Sequence, residues 1–87
     1  NQTFAKFPQV LQNIKLPTTI TAENILNCRA VQDVIAETET SLGQEGRVFI
    51  RQSGTEPLIR VMVEAVDDVR VKTYCERIVS TIQANLP

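Results

Sequence analysis

The chain has 87 residues, 43% of them hydrophobic, with a formal net charge of −1, two cysteines and no histidine. That length fits one domain with a single modest core and leaves no room for an enclosed, multi-walled cleft. The near-neutral charge excludes a nucleic-acid binder that works through a broad basic surface, since such binding neutralises many phosphates. No apolar run approaches the length of a membrane span.

Residues 1–7 carry no cap and no periodicity and read as a linker remnant, with the folded domain spanning residues 8–87. From Gln9 to Leu16 the pattern alternates, with Val10, Ile14 and Leu16 on one side and Leu11, Asn13 and Lys15 on the other, which predicts a strand. Pro17-Thr18-Thr19 ends it. The stretch to Asn27 is ambiguous, with room for a short helical turn after Thr21.

Asn27 fits a helix N-cap, and Val31, Val34, Ile35, Thr38 and Leu42 recur at the spacing of one helical face until Gly43 supplies a stop. This predicts a helix over residues 28–42. Gly46 then opens a strand in which Val48 and Ile50 oppose Arg47, Phe49 and Arg51. A turn at Ser53-Gly54-Thr55-Glu56 follows. Pro57 begins a second strand with Ile59, Val61, Val63 and Ala65 on one face and Leu58, Arg60, Met62 and Glu64 on the other, so the two strands form an antiparallel hairpin.

Asp67 or Asp68 caps a last helix, whose apolar stripe is Val71, Tyr74, Cys75, Ile78, Val79, Ile82 and Leu86. The expected order is β-α-β-β-α, an α+β domain whose antiparallel sheet of three to four strands carries two helices on one face.

The turn between the hairpin strands holds the chemistry. Arg51, Ser53, Gly54, Thr55 and Arg60 combine two guanidinium forks, two hydroxyls and an unobstructed backbone, the donor set that surrounds a phosphate. Cross-strand pairing would bring Arg51 beside Arg60, a repulsive arrangement unless an anion or Glu56 lies between them. The alternative is a solvated hairpin loop with two surface arginines. Elsewhere the chemistry is sparse. Asp67-Asp68 reads as helix capping rather than a metal site, the polar run Thr38–Ser41 is for the most part a solvated face, and the few aromatics form no base-stacking platform. Cys28 and Cys75 have neither CxxC spacing nor histidine partners and read as reduced, packed thiols, consistent with a cytoplasmic protein.

The run from Gly46 to Ala65, with its R-x-S-G-T-E-P-x-x-R core from Arg51 to Arg60, closely resembles the C-terminal signature of the α-D-phosphohexomutases, and within them the bacterial phosphoglucosamine mutase branch. The likeness extends through Phe7–Leu11, Ala30-Val31-Gln32 and the last helix, and is weakest from Pro17 to Leu26. It implies a fold like the TATA-box-binding protein and a last domain that clamps the non-transferred phosphate while glucosamine 6-phosphate and glucosamine 1-phosphate interconvert through a phosphoserine and a bisphosphorylated sugar. The implied phosphate ligands are Arg51, Ser53, Gly54 and Thr55, with Arg60 as a fifth and Glu56 supporting the loop.

The same resemblance places the phosphoserine, the magnesium (Mg2+) loop and the sugar-selecting loop in preceding domains of the enzyme, so that this chain alone holds no catalytic residue, no metal and no cofactor and is expected to be inactive. It also implies a cytoplasmic, magnesium-dependent phosphoprotein of amino-sugar metabolism that supplies peptidoglycan precursors. Its partners would be a phosphosugar and the preceding domains, with neither nucleic acid nor membrane. The alternatives are the same domain of a phosphomannomutase or phosphoglucomutase, since sugar choice here rests only on likeness in Val61–Glu64, and a stand-alone sugar-phosphate-binding module.

Overall fold

The computed structural model describes residues 8–52 and 57–86. Strand β1 (Gln9–Lys15) leads through a short helix α1 (Ala22–Leu26) to a long helix α2 (Arg29–Leu42). A single 3-10 turn (Gly43–Glu45), the hairpin strands β2 (Gly46–Gln52) and β3 (Leu58–Ala65), and the last helix α3 (Asp68–Ala84) complete the chain. The sheet has three antiparallel strands in the order β1-β3-β2, so β3 is central, pairing with β1 over Leu58–Glu64 and with β2 over Ile59–Ala65.

Strict alternation fixes which side of the sheet is covered. Ile59, Val61, Val63 and Ala65 of β3 and Ile14 of β1 point inward and are buried. They meet Val31, Val34 and Leu42 of α2 and Val71, Cys75, Ile78 and Ile82 of α3 in one core. Both long helices lie on that face, as the single apolar side of each strand demands. Among the described residues no helix lies on the opposite face.

The helix ends follow their sequences with one correction. Asn27 does not cap the long helix. Thr21 and Asn24 form a reciprocal capping box that starts α1, the Thr21 Oγ1 accepting from the Asn24 N–H at 3.2 Å and the Asn24 Oδ1 accepting from the Thr21 N–H at 3.3 Å. Asn27 is the C-cap of that helix, its N–H donating to the Glu23 carbonyl, and Cys28 stands at the N-cap of α2 without a side-chain cap bond. Among the described residues the domain has three helices, the two long ones on the sheet and the short turn after Thr21 for which the sequence left room. Gly43 ends α2 with a positive φ of 57°, and Asp67 caps α3 by accepting from the N–H groups of Val69 and Arg70.

Thr38, which the helical spacing puts on the apolar face, is fully buried, its hydroxyl satisfied by donating to the Val34 carbonyl at 2.7 Å, while Glu39, Thr40 and Ser41 are exposed. Both cysteines are free, Cys75 in the core and Cys28 half-buried. Burial pushes the Cys75 thiol above its ordinary range, with Glu76 adding to the shift. The linker reading of residues 1–7 falls outside the described residues.

Candidate functional site

The uncovered face of the sheet is built in rows, because three antiparallel strands in fixed register bring alternate residues side by side. Gln9, Glu64 and Arg47 form one row, Leu11, Met62 and Phe49 the next, and Asn13, Arg60 and Arg51 the third. The third row lies toward the β2–β3 connection. It places the two arginines of the motif directly opposite each other across the ladder, as cross-strand pairing of the hairpin predicts.

The first row is internally neutralised. Glu64 accepts a hydrogen bond from Gln9 at 3.1 Å and faces the Arg47 guanidinium at 3.8 Å, while Arg47 also lies over the Phe49 ring, 5.9 Å from its centroid. The third row is not. Arg60 donates from Nε to the Asn13 Oδ1 at 3.4 Å, and among the described residues no carboxylate stands within 4.0 Å of either Arg51 or Arg60. Two exposed cations held this close by the register form a local positive centre, and an anion between them removes the repulsion. Guanidinium is suited to that task, since it stays charged and offers a planar fork of donors.

Arg51, Arg60, Phe49, Leu11 and Met62 together line a concavity of about 290 Å³. A second hollow, of about 310 Å³, lies between Leu16, Thr18, Ile20 and Thr21 on one side and Gln52 and Pro57 on the other. The segment least like the family pattern is thus brought against the two residues that flank the motif's turn, and the Leu16 N–H donating to the Pro57 carbonyl at 2.7 Å fixes it there.

Of the residues singled out in the sequence, Arg51 and Arg60 come together, while Ser53, Gly54, Thr55 and Glu56 lie outside the described residues. Asn13, which orients Arg60, and the apolar row of Leu11, Met62 and Phe49 were missed as site residues. The signal for them lay in superimposing the alternation of all three strands, which requires knowing that β3 sits in the centre. Among the described residues no three His, Cys, Asp or Glu side chains stand close enough to hold a metal ion, and no helix is long and apolar enough to cross a membrane.

The two-layer α+β unit thus opposes two arginines across the hairpin that carries the R-x-S-G-T-E-P-x-x-R run. Residues 11–81 match the family model of the phosphoglucomutase/phosphomannomutase C-terminal domain, and the chain belongs to that family. It is 42% identical over 86 residues to the phosphoglucosamine mutase of Trichodesmium erythraeum (strain IMS101), covering 99% of this chain and 18% of that protein. It is 46% identical over 79 residues to phosphoglucosamine mutase 2 of Shewanella baltica (strain OS185), covering 91% of this chain and 17% of that one. Among solved structures, the fold superimposes on Aspergillus fumigatus N-acetylphosphoglucosamine mutase in complex with GlcNAc-6P and magnesium, with a TM-score of 0.67 at 20% identity over 90% of this chain and 16% of the other. The chain therefore spans under a fifth of the length of these relatives.

Proposed function

We propose that this chain is the phosphate-clamping domain of an enzyme that interconverts glucosamine 6-phosphate and glucosamine 1-phosphate, and that Arg51, Ser53, Gly54, Thr55 and Arg60 form the clamp, with Glu56 supporting the loop. The observation that carries the reading is the direct opposition of Arg51 and Arg60 across the ladder without an acidic partner among the described residues. The bacterial relatives named phosphoglucosamine mutase favour the amino sugar over mannose or glucose.

The clamp does no bond chemistry. It takes the phosphate that is not being transferred, and the free energy gathered there is used to hold the reacting oxygen in line at a phosphoserine supplied by the preceding domains. A bisphosphorylated intermediate reverses its orientation in the same grip, and the domain acts as a lid that retains it. Magnesium accompanies the Aspergillus enzyme, and in this reading it is held, like the phosphoserine, by the other domains of a cytoplasmic enzyme.

The test is made in the enzyme that contains this chain. Arg51→Ala is expected to lower turnover of glucosamine 6-phosphate by two or more orders of magnitude, as losing a charge-assisted contact of about 1.5–3 kcal/mol together with alignment of the substrate implies. The unfolding midpoint should not fall. Undiminished turnover in that variant would remove the clamp reading, and an enzyme indifferent to glucosamine phosphates would remove the sugar assignment.

A further inference from the structure

We infer that the apolar row Leu11–Met62–Phe49 is the floor on which the hexose ring of a bound phosphosugar rests, making Phe49 and Met62 positioning residues for the sugar as well as neighbours of the phosphate clamp. The inference rests on the clamp reading above.

Its basis is the shape and chemistry of one concavity. The five side chains lining it divide into two guanidiniums at one end and three apolar groups at the other. Such a lining matches a ligand that is anionic at one end and presents a hydrocarbon face beside it, the usual division of labour in small-molecule sites. The two rows are two residues apart along each strand, a separation of roughly 7 Å. A phosphate between Arg51 and Arg60 therefore places the sugar ring, linked through O1 in a 1-phosphate or through O6 and one methylene in a 6-phosphate, over the apolar row. The volume of about 290 Å³ lies at the small end of ligand sites, which run from roughly 300 Å³ upward, and suits a monosaccharide.

Two further observations favour a sugar. Phe49 and Leu11 are exposed large hydrophobic residues, at 39% and 53%, so the floor is open to an occupant. Arg47, stacked over Phe49 and paired with Glu64, borders the floor with a neutralised polar row rather than a second anion site, so the recess has a single charged end. A hexose in its chair form offers a face of C–H groups to the Phe49 ring and the Met62 thioether, with its hydroxyls directed to water.

Met62 is the only methionine in the sequence, so a carbon-13 methyl label reports on the floor, and Met62→Leu identifies its signal. The whole chain is titrated by NMR with inorganic phosphate, with glucosamine 6-phosphate and with glucosamine. Inorganic phosphate should shift the Arg51 and Arg60 Nε–H signals and leave the Met62 methyl in place. Glucosamine 6-phosphate should shift these, move the Met62 methyl, and give intermolecular Overhauser contacts between that methyl and the sugar ring protons. Glucosamine should move neither set.

Phe49→Ala should weaken glucosamine 6-phosphate by roughly two- to tenfold and leave inorganic phosphate unchanged. Leu11→Ala, on the edge strand, provides a second variant with the same expected split. Arginine shifts with glucosamine 6-phosphate but no contact to Met62, or an equal loss for both anions in both variants, would overturn the floor and leave the clamp standing. Arginine signals that ignore both anions would overturn the clamp itself.

Discussion

Arg51 on β2 and Arg60 on β3 are direct partners in the antiparallel ladder, and Asn13 on β1 accepts a hydrogen bond from Arg60 at its other side. Like charges directly opposite one another destabilise a ladder, by roughly 0.2–1 kcal/mol for an exposed pair. Replacing either arginine by glutamine is therefore expected to raise the unfolding free energy by about that amount in phosphate-free buffer, as read by urea denaturation. The same change should abolish the upward shift of Tm that phosphate produces in the unmodified chain. A fall in stability on removing the charge would mean that the arginines serve the fold rather than a ligand.

Tyr74, the only tyrosine, gives a pH-dependent readout of how α3 is tied to the end of α2. Arg70 donates to the Ser41 carbonyl at 2.9 Å and to Glu45 at 3.2 Å, and the guanidiniums of Arg70 and Arg77 lie 5.7 and 5.9 Å from the Tyr74 ring centroid. Arg70 first, and Ser41 after it, hold the phenol below its ordinary value of 10.0. In the window between the lowered midpoint and 10.0 the folded chain binds fewer protons than the unfolded one. Stability should therefore rise with pH across that window, and the gain should vanish as pH falls through the folded midpoint. Ultraviolet titration of the phenol should place its midpoint below 10.0, and Arg70→Gln should return it upward.

The glycines that bracket the 3-10 turn should fail for different reasons. A Cβ at Gly46 would collide with the Glu64 carbonyl oxygen and approach the Ala65 Cβ to 2.9 Å on the central strand, so Gly46→Ala should cost about 1–3 kcal/mol by overpacking. Gly43 has nothing within 4 Å of the same position, yet its φ of 57° is disfavoured for any residue with a side chain. With ψ at −126° the backbone lies outside the left-handed helical well that asparagine tolerates, so Gly43→Ala and Gly43→Asn should each cost roughly 1–3 kcal/mol. Thermal or urea unfolding of the three variants distinguishes collision from backbone strain.

Asp67→Ala removes the acceptor for two N–H groups at the start of α3 and should cost about 0.5–2 kcal/mol. Asp68→Ala, one residue into the helix, should cost less, since only the interaction with the helix dipole is lost. Equal losses from the two changes, measured by denaturation, would assign the effect to charge rather than to the cap.

Much of this architecture was legible in the amino-acid pattern, and the places where it was not share a cause. Alternation in Gln9–Leu16, Arg47–Arg51 and Leu58–Ala65 identified the strands and their inner faces, because burying one side of a pleated sheet leaves a period of two. Asp67 and Gly43 marked helix ends because their side-chain and backbone chemistry is local. Asn27 misled for the same reason: its residue type suits an N-cap, but the short helix that Thr21 starts ends on it and holds its backbone at φ −89° and ψ −3°, where an N-cap is extended. Within the site, the Arg51–Arg60 pair followed from a hairpin, a local object. Asn13 and Leu11 did not, since their place beside Arg60 and Met62 depends on a strand far away in the chain joining the other edge of β3.

That central position of β3 also sets an order of assembly. The hairpin closes over a short connection, whereas β1 must cross the length of the domain, Gln9 bonding Glu64 at a separation of 55 residues. Closing the longer loop costs more entropy and is the slower event. The two clamp charges are thus brought together by one of the earliest contacts the nascent fold can make. The surface beside them is completed only when the first strand arrives with Leu11 and Asn13, so that a chain still missing β1 would hold the anion grip with its floor incomplete.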